Sequence, residues 1–321
     1  MSGTVREDVV PQLLDVVHHR SASHHGPVGE ATVLADRHDA TVIRHGSVVA
    51  KAHDPDAGPG ELAVRVRVAG HPRCAGILLP PLGGPEVLPG GRVVTLWPYG
   101  EPVSPEHPEA APWAEAGALL ARLHAVEPAA LPGRLPPMRG PAKAARAIAR
   151  LRASAGAGAV GRAAAVGPGA AVEAVLRAWG ALPGWVRGEG PAPQGGALCH
   201  GDLHLGQLVR YAMRWLLIDV DDLGLGDPAW DLARPAAWFA AGLLPPDDWE
   251  RFLGAYRAAG GPAVRDCEED PWTRLDVPAR ALTVQISALA LAKAAGEGHP
   301  LDEAEELMVE ACMRIARLAG A

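Results

Sequence analysis

Leu198-Cys199-His200-Gly201-Asp202-Leu203-His204-Leu205-Gly206-Gln207 crowds two imidazoles, a thiol, a carboxylate and a carboxamide into one short stretch, and Asp219 follows at the end of Leu208–Ile218. Leu208 to Tyr211 and Arg214 to Ile218 read as strands joined by a two-residue turn. Pairing about that turn sets Gln207 opposite Ile218 and Gly206 opposite Asp219. An amide and a carboxylate thus arrive at one end of a hairpin, with Asp202 just upstream in a glycine-flanked loop. Two carboxylates and an amide oxygen form the kind of donor set Mg²⁺ takes, usually shared with phosphates. One carboxylate must stay off the metal to accept a proton from an attacking hydroxyl, and Asp202 has that position. Alone, Asp202 would cap a turn and Asp219 would end a strand; together with Gln207 they point to phosphoryl transfer. Asp221 and Asp222, close behind, read as exposed loop acids, with support of the site from behind its ligands as the other reading.

Competing chemistries find less support. There is no GxxxxGK[ST] phosphate loop and no GxSxG nucleophile elbow. Residues 156–161 match GxGxxG, but they follow an Ala/Arg helix rather than a strand, with no acidic residue about twenty positions on, so the dinucleotide reading fails its context. His200 and His204 around Asp202 could begin a metal-hydrolase cluster, which would need further clustered ligands. That hydrolase stands as one alternative.

These residues must be positioned by a chain of 321 residues, 48% hydrophobic and 21% charged, long enough to bury a large core. The net charge of −7 argues against nucleic-acid and acidic-membrane partners. Residues 201–321 carry 11 basic and 20 acidic side chains, a local −9 that suits a cationic partner. Cys74, Cys199, Cys267 and Cys312 form no CxxC pair, the N-terminus has no apolar signal core, and the apolar stretch Ala281–Ala292 is too short to span a bilayer. A cytoplasmic protein is expected.

Short β-branched runs at Ala31–Leu34, Ala40–Ile43, Ser47–Lys51, Gly76–Leu79 and Arg92–Trp97 predict a five-stranded antiparallel sheet. Between the third and fourth runs, Pro59–Val68 carries a helix-start signal in Pro59 and Glu61, yet its Val-Arg alternation has the period of a strand. Pattern alone leaves it open. After Trp97-Pro98-Tyr99-Gly100 the composition turns helical, at Trp113–Val126, 141–153, 170–182 and much of 229–321.

His200-Gly201-Asp202 with a carboxamide at 207, then Leu217-Ile218-Asp219, then Gly226-Asp227-Pro228-Ala229-Trp230-Asp231-Leu232-Ala233, resembles the aminoglycoside phosphotransferase family; Leu120–Ala125 resembles that family's helix after the hinge. The resemblance implies an α+β, bilobal, protein-kinase-like fold with a small antiparallel β-sheet N-lobe and a larger helical C-lobe. Its divisions would be residues 1–97 for nucleotide binding, 98–102 as hinge, and 103–321 with the catalytic loop and acceptor site. It also implies ATP with Mg²⁺ between the lobes, Asp202 as the base, Gln207 and Asp219 on the metal, and Asp231 bracing the catalytic loop. Lys51, one of three lysines against 27 arginines, would contact the nucleotide phosphates with Glu61 as its helix partner, and Trp97 with Tyr99 would line the adenine pocket. Two residue choices depart from the pattern. Gln207 stands where the family more often has Asn, and the turn Asp36–Asp39 that should cover the phosphates has no glycine. They motivate a second alternative, a nucleotide-binding module without transferase activity. The expected acceptor is a small-molecule hydroxyl, with the acidic balance favouring an aminoglycoside, an amino sugar or a basic peptide antibiotic, and a neutral sugar or nucleoside standing as the other candidates.

Overall fold

The computed structural model describes residues 9–22, 31–37, 39–156, 168–191, 195–265 and 270–318. Residues 157–161 of the GxGxxG match, His38 of the glycine-free turn and Cys267 lie outside them. Helix α1 (Val9–Ala22) precedes strands β1 (Thr32–Asp36), β2 (Thr41–His45) and β3 (Val48–Ala52), then α2 (Pro59–Ala69), β4 (Glu86–Val87), β5 (Val93–Pro98) and β6 (Glu101–Pro102). Helices α3 (Trp113–His124), α4 (Gly140–Gly156) and α5 (Pro168–Gly180) lead to β7 (Ala197–Cys199), β8 (Leu208–Tyr211), β9 (Arg214–Leu217) and β10 (Gly224–Gly226). The chain continues through α6 (Ala233–Ala241), α7 (Pro246–Ala258), α8 (Trp272–Glu297) and α9 (Glu303–Leu318). Two compact units result: residues 1–111, 126–136 and 206–221 form the first, and residues 112–125, 137–205 and 222–321 the second.

In the first unit the sheet is antiparallel in the order β1-β2-β3-β5-β4. One face carries Ile43, Val48, Ala50, Ala52, Val94 and Leu96, buried with Val9, Leu13 and Val17 of α1 at helical spacing. Because strand side chains alternate, Lys51, Thr95 and Trp97 belong to the other face, and the register sets Lys51 opposite Thr95 and Val49 opposite Trp97.

Four of the five expected runs join this sheet; Gly76–Leu79 does not. Pro80 and Pro81 follow it and offer no N–H to a ladder. Instead Leu79 N–H donates to the Leu217 carbonyl and Leu217 N–H to the Ile77 carbonyl, both at 2.9 Å, a parallel bridge to the later hairpin. The short strand β4 takes the vacant edge. The ambiguous segment is helix α2, whose buried Leu62, Arg65, Val66 and Ala69 follow i, i+3, i+4, i+7. Burial of that stripe outweighs the weak strand preference of its valines.

Strands β8 and β9 pair in the register read from the sequence, Leu208 with Leu217 through Tyr211 with Arg214, and β6 adds to β8. Their two turn residues, Ala212 and Met213, both have positive φ (47° and 64°), the backbone of a type I′ turn. Beyond the ladder, Ile218 N–H donates to the Gln207 carbonyl at 2.9 Å.

The second unit is helical around α8, against which α4, α6 and α9 pack, while α3 packs on α7. A Cβ on Gly117 of α3 would stand 2.2 Å from the Phe252 carbonyl oxygen, so glycine sets that close approach. Helix α8 is long and apolar enough, by length and composition, to cross a membrane, yet 72% of its most apolar window is buried inside the chain. That burial makes it a core helix. Cys74, Cys199 and Cys312 are buried free thiols.

Candidate active site

The loop carrying Asp202 is built by β7 and β10, which pair Cys199 with Gly224 and Ala197 with Gly226. At its bend Gly201 has φ +87°, and a Cβ there would lie 2.5 Å from the Asp222 carbonyl oxygen. Both the dihedral and the contact demand glycine. Asp231, fully buried, braces the bend. One carboxylate oxygen accepts from Gly201 N–H at 2.7 Å, and the other accepts from His200 N–H at 2.6 Å and from His124 Nε2 at 2.9 Å. The Tyr256 hydroxyl lies 2.8 Å from His124 Nδ1 and accepts from Ala263 N–H at 3.1 Å. A carboxylate only accepts, so Nε2 carries the proton toward Asp231, and the Tyr256 hydroxyl can donate to Nδ1. Burial alone would raise the Asp231 carboxyl; hydrogen bonding and charge from His124, with the His200 charge and the Gly201 amide, hold it below its ordinary value.

Asp202 is thereby presented beside two cations. Arg234 Nη2 meets one of its oxygens at 2.6 Å and Lys143 Nζ the other at 2.8 Å. Lys143 also reaches Asp222 at 2.6 Å, and Asp222 is held on its other oxygen by Arg139 at 2.9 Å. Burial opposes the ionised form of Asp202, but the Lys143 and Arg234 charges outweigh it and keep the carboxyl well below the usual range. A pocket opens here, lined by Gly140, Lys143, Gly201, Asp202, Leu203, Trp230, Arg234, Leu282 and Gln285.

Lys51 and Asp219 meet in the first unit, Nζ to Oδ1 at 2.6 Å. Asp219 follows β9 at φ +62°, a strained conformation for a non-glycine residue of a kind that clusters at functional sites. Gln207 is buried, and its carbonyl accepts from the N–H of Ile218, the residue before Asp219. The second partner of Lys51 is Asp221, at 3.0 Å. Asp221 is fixed in turn by His53 Nδ1 at 2.9 Å, whose Nε2 lies 2.7 Å from Thr95 Oγ1, which accepts from Trp97 Nε1 at 2.8 Å. Burial would lower the Lys51 ammonium; Asp219 and Asp221 raise it above its ordinary value, so it stays charged.

Glu61 does not join this group. It is exposed in the first turn of α2 and pairs with Arg65 one turn on, at 3.2 Å. The acid that shares Lys51 with Asp219 is Asp221, and neither it nor the buried Asp222 is an exposed loop acid. Trp97 is buried on Thr95, and Tyr99 stacks under the Arg44 guanidinium, 3.3 Å from the ring centroid. Sequence reasoning missed Lys143, Arg234 and His53 as site residues. Scarcity of lysine was the one signal for Lys143; Arg234 follows directly on the Gly226–Ala233 motif.

Gln207 and Asp219 offer an amide oxygen and a carboxylate, oxygen donors of the kind that fits Mg²⁺. By contrast, the one trio of His, Cys, Asp or Glu ligand atoms close enough to hold a metal among the described residues is His124, Cys199 and Asp231. It excludes His200 and His204, which the hydrolase alternative requires, and its His and Asp are spent on each other.

A model of the phosphotransferase enzyme family matches residues 33–273. No curated protein sequence matches the chain. Among solved structures, a choline/ethanolamine kinase family protein from Mesorhizobium loti is 19% identical and aligns with a TM-score of 0.56 over 96% of this chain and 94% of its own. An aminoglycoside phosphotransferase in ternary complex with AMP-PNP and hygromycin B is 14% identical, with a TM-score of 0.59 over 95% and 99%. An amicoumacin kinase in complex with AMP-PNP and Ca²⁺ is 14% identical, with a TM-score of 0.61 over 98% and 95%. These likenesses establish the α+β protein-kinase-like fold, and the family match, which spans the loop, hairpin and bracing aspartate just described, shows that the chain belongs to the phosphotransferase enzyme family, as a small-molecule kinase.

Proposed function

We propose that this chain transfers the γ-phosphoryl group of ATP, with Mg²⁺, to a hydroxyl of a small molecule, with Asp202 as the catalytic base. The observation that carries the reading is Asp202 itself: an ionised carboxylate in a pocket, on a loop whose backbone is fixed by a buried aspartate. Each Asp202 oxygen has a lone pair beyond those given to Lys143 and Arg234, and can accept the acceptor's O–H. As the acceptor oxygen forms its bond to the γ-phosphorus, the bond to the β–γ bridging oxygen breaks, ADP leaves, and the hydroxyl proton passes to Asp202. A phosphoryl-transfer transition state asks for positioning more than for basicity, so a carboxyl held well below its usual range is compatible with the role.

Gln207 and Asp219 would hold Mg²⁺, which when bound supplies charge neutralisation at the phosphates. Lys51 would bind phosphate oxygens, with Asp221 and Asp219 holding its ammonium in place. Residues 1–97 would serve the nucleotide, 98–102 would act as hinge with Trp97 and Tyr99 beside the adenine, and 103–321 would serve the acceptor. The buried free thiols and the need for ATP favour the cytoplasm.

The test is incubation with ATP, Mg²⁺ and a pooled acceptor panel, read by mass spectrometry beside an Asp202→Ala control. A phosphoryl-sized gain on one compound, lost by at least about 100-fold in the control, is the expected outcome. Undiminished transfer by the control would remove Asp202 from the chemistry.

A further inference from the structure

The acidic balance of residues 201–321 favoured a cationic acceptor, but the side chains around Asp202 have the opposite character. Of the pocket's lining residues, Asp202 is the one acid, against Lys143 and Arg234. Both of its oxygens are already engaged by those two cations. The other charges bearing on Asp202 and its partners are His204, Asp222 and Arg139, and Asp222 is itself shared between Lys143 and Arg139. Four other acids of this region have partners of their own: Asp227 with Arg274, Asp248 with Arg251, Asp276 with Arg280 and Asp231 with His124. The −9 balance is thus not the charge of the pocket's own lining, which is one acid against two cations.

What the pocket offers is donors. An ammonium has three N–H groups and a guanidinium five. Lys143 uses two, on Asp202 and Asp222, while Arg234 uses Nη2 on Asp202 and leaves its buried Nε–H without a hydrogen-bond partner. Gln285, 4% exposed on α8, adds an amide, and Trp230 adds an aromatic surface, itself set edge-to-face against Trp185 at 6.1 Å. Unspent donors beside an aromatic face suit a molecule rich in hydroxyl or carboxylate oxygens. An ammonium brought to the same place would meet two like charges in a partly dehydrated site, an arrangement that selects against a ligand.

Resting on the phosphotransferase reading above, we infer that the acceptor is an oxygen-rich small molecule, a neutral or acid-bearing polyol with no ammonium group beside its reacting hydroxyl, and that Lys143 and Arg234 enforce this choice.

The experiment compares initial rates of phosphate gain, by mass spectrometry with ATP and Mg²⁺, on glucose, other neutral hexoses, pentoses, nucleosides, gluconate and glucuronate against glucosamine, kanamycin and neomycin. The expected result is a best acceptor in the neutral or acidic group, at least about ten-fold faster than any ammonium-bearing compound. In Arg234→Gln that ratio should fall about ten-fold through relaxed discrimination, and Lys143→Gln provides an independent second variant. Equal or faster phosphorylation of the ammonium-bearing compounds by the wild-type protein would overturn the acceptor class and leave the phosphotransferase reading standing. Absence of phosphate gain on every compound, together with absence of AMP-PNP binding by calorimetry, would overturn both.

Discussion

Two cations from distant parts of the chain settle the state of Asp202. Asp202 is ionised because Lys143 and Arg234 outweigh its burial, and Lys51 is held on Asp219 by an acid two residues further on rather than by the helix acid Glu61. The difference is measurable. Hydrogen bonds to charged groups contribute about 1.5–3 kcal/mol, so Asp221→Asn should weaken AMP-PNP binding by roughly ten-fold in calorimetry. Glu61 pairs with Arg65 within α2 and not with Lys51, so Glu61→Gln should change the same constant by less than about two-fold. A loss on Glu61→Gln as large as that on Asp221→Asn would return the lysine to the helix. His53 and Thr95 explain why Asp221 can serve: they orient it from a buried strand face.

At the scale of elements, the hairpin β8–β9 is the device that delivers Gln207 and Asp219 to one end. Its register is legible because it depends on a two-residue turn and local pairing. The turn itself departs from local preference, for Ala212 and Met213 both adopt positive φ, which costs about 1–2 kcal/mol for a non-glycine residue. Replacing them by the favoured pair, Ala212→Asn with Met213→Gly, should therefore raise the thermal midpoint by roughly 2–4 °C. An unchanged or lower midpoint in thermal denaturation would show that the Met213 side chain, 79% exposed, compensates for the strain. Helix α2 teaches the converse. Its sequence alternates like a strand, yet a stripe of buried positions at helical spacing decided its form.

For the whole molecule, the ionised buried carboxylates set a pH dependence. Asp202 and Asp231 are both held below their ordinary values in the folded chain. A carboxyl depressed on folding contributes stability that is fully present above its unfolded value, near about 4, and is lost as pH falls through the folded value. Thermal midpoints should thus stay level from neutrality down to roughly pH 5 as far as these groups are concerned, then fall steadily below about pH 4. Asp202→Asn should flatten part of that acid limb, since the amide has no such proton to take up. An acid limb of wild-type steepness in Asp202→Asn would mean that Asp202 does not contribute to it.

Whatever rests on neighbours in the chain was readable from the residues alone. The loop His200–Asp202 and the hairpin ending at Asp219 could be placed because glycine geometry, turn length and strand alternation act over a few positions, whereas the bracing role of Asp231, about thirty residues on from the loop, was implied by the family resemblance. Four strands and the helical second half were legible for the same reason. Tertiary structure decided what depends on partners far along the chain: that Gly76–Leu79 bridges to Leu217, that Asp221 displaces Glu61 at Lys51, and that Lys143 and Arg234 clamp Asp202. Charge composition made the acidic third look suited to a cation. The fold set Asp202 between Lys143 and Arg234 and left the pocket beside it with a surplus of donors, because electrostatics in a partly buried site follows the nearest few groups rather than the net charge.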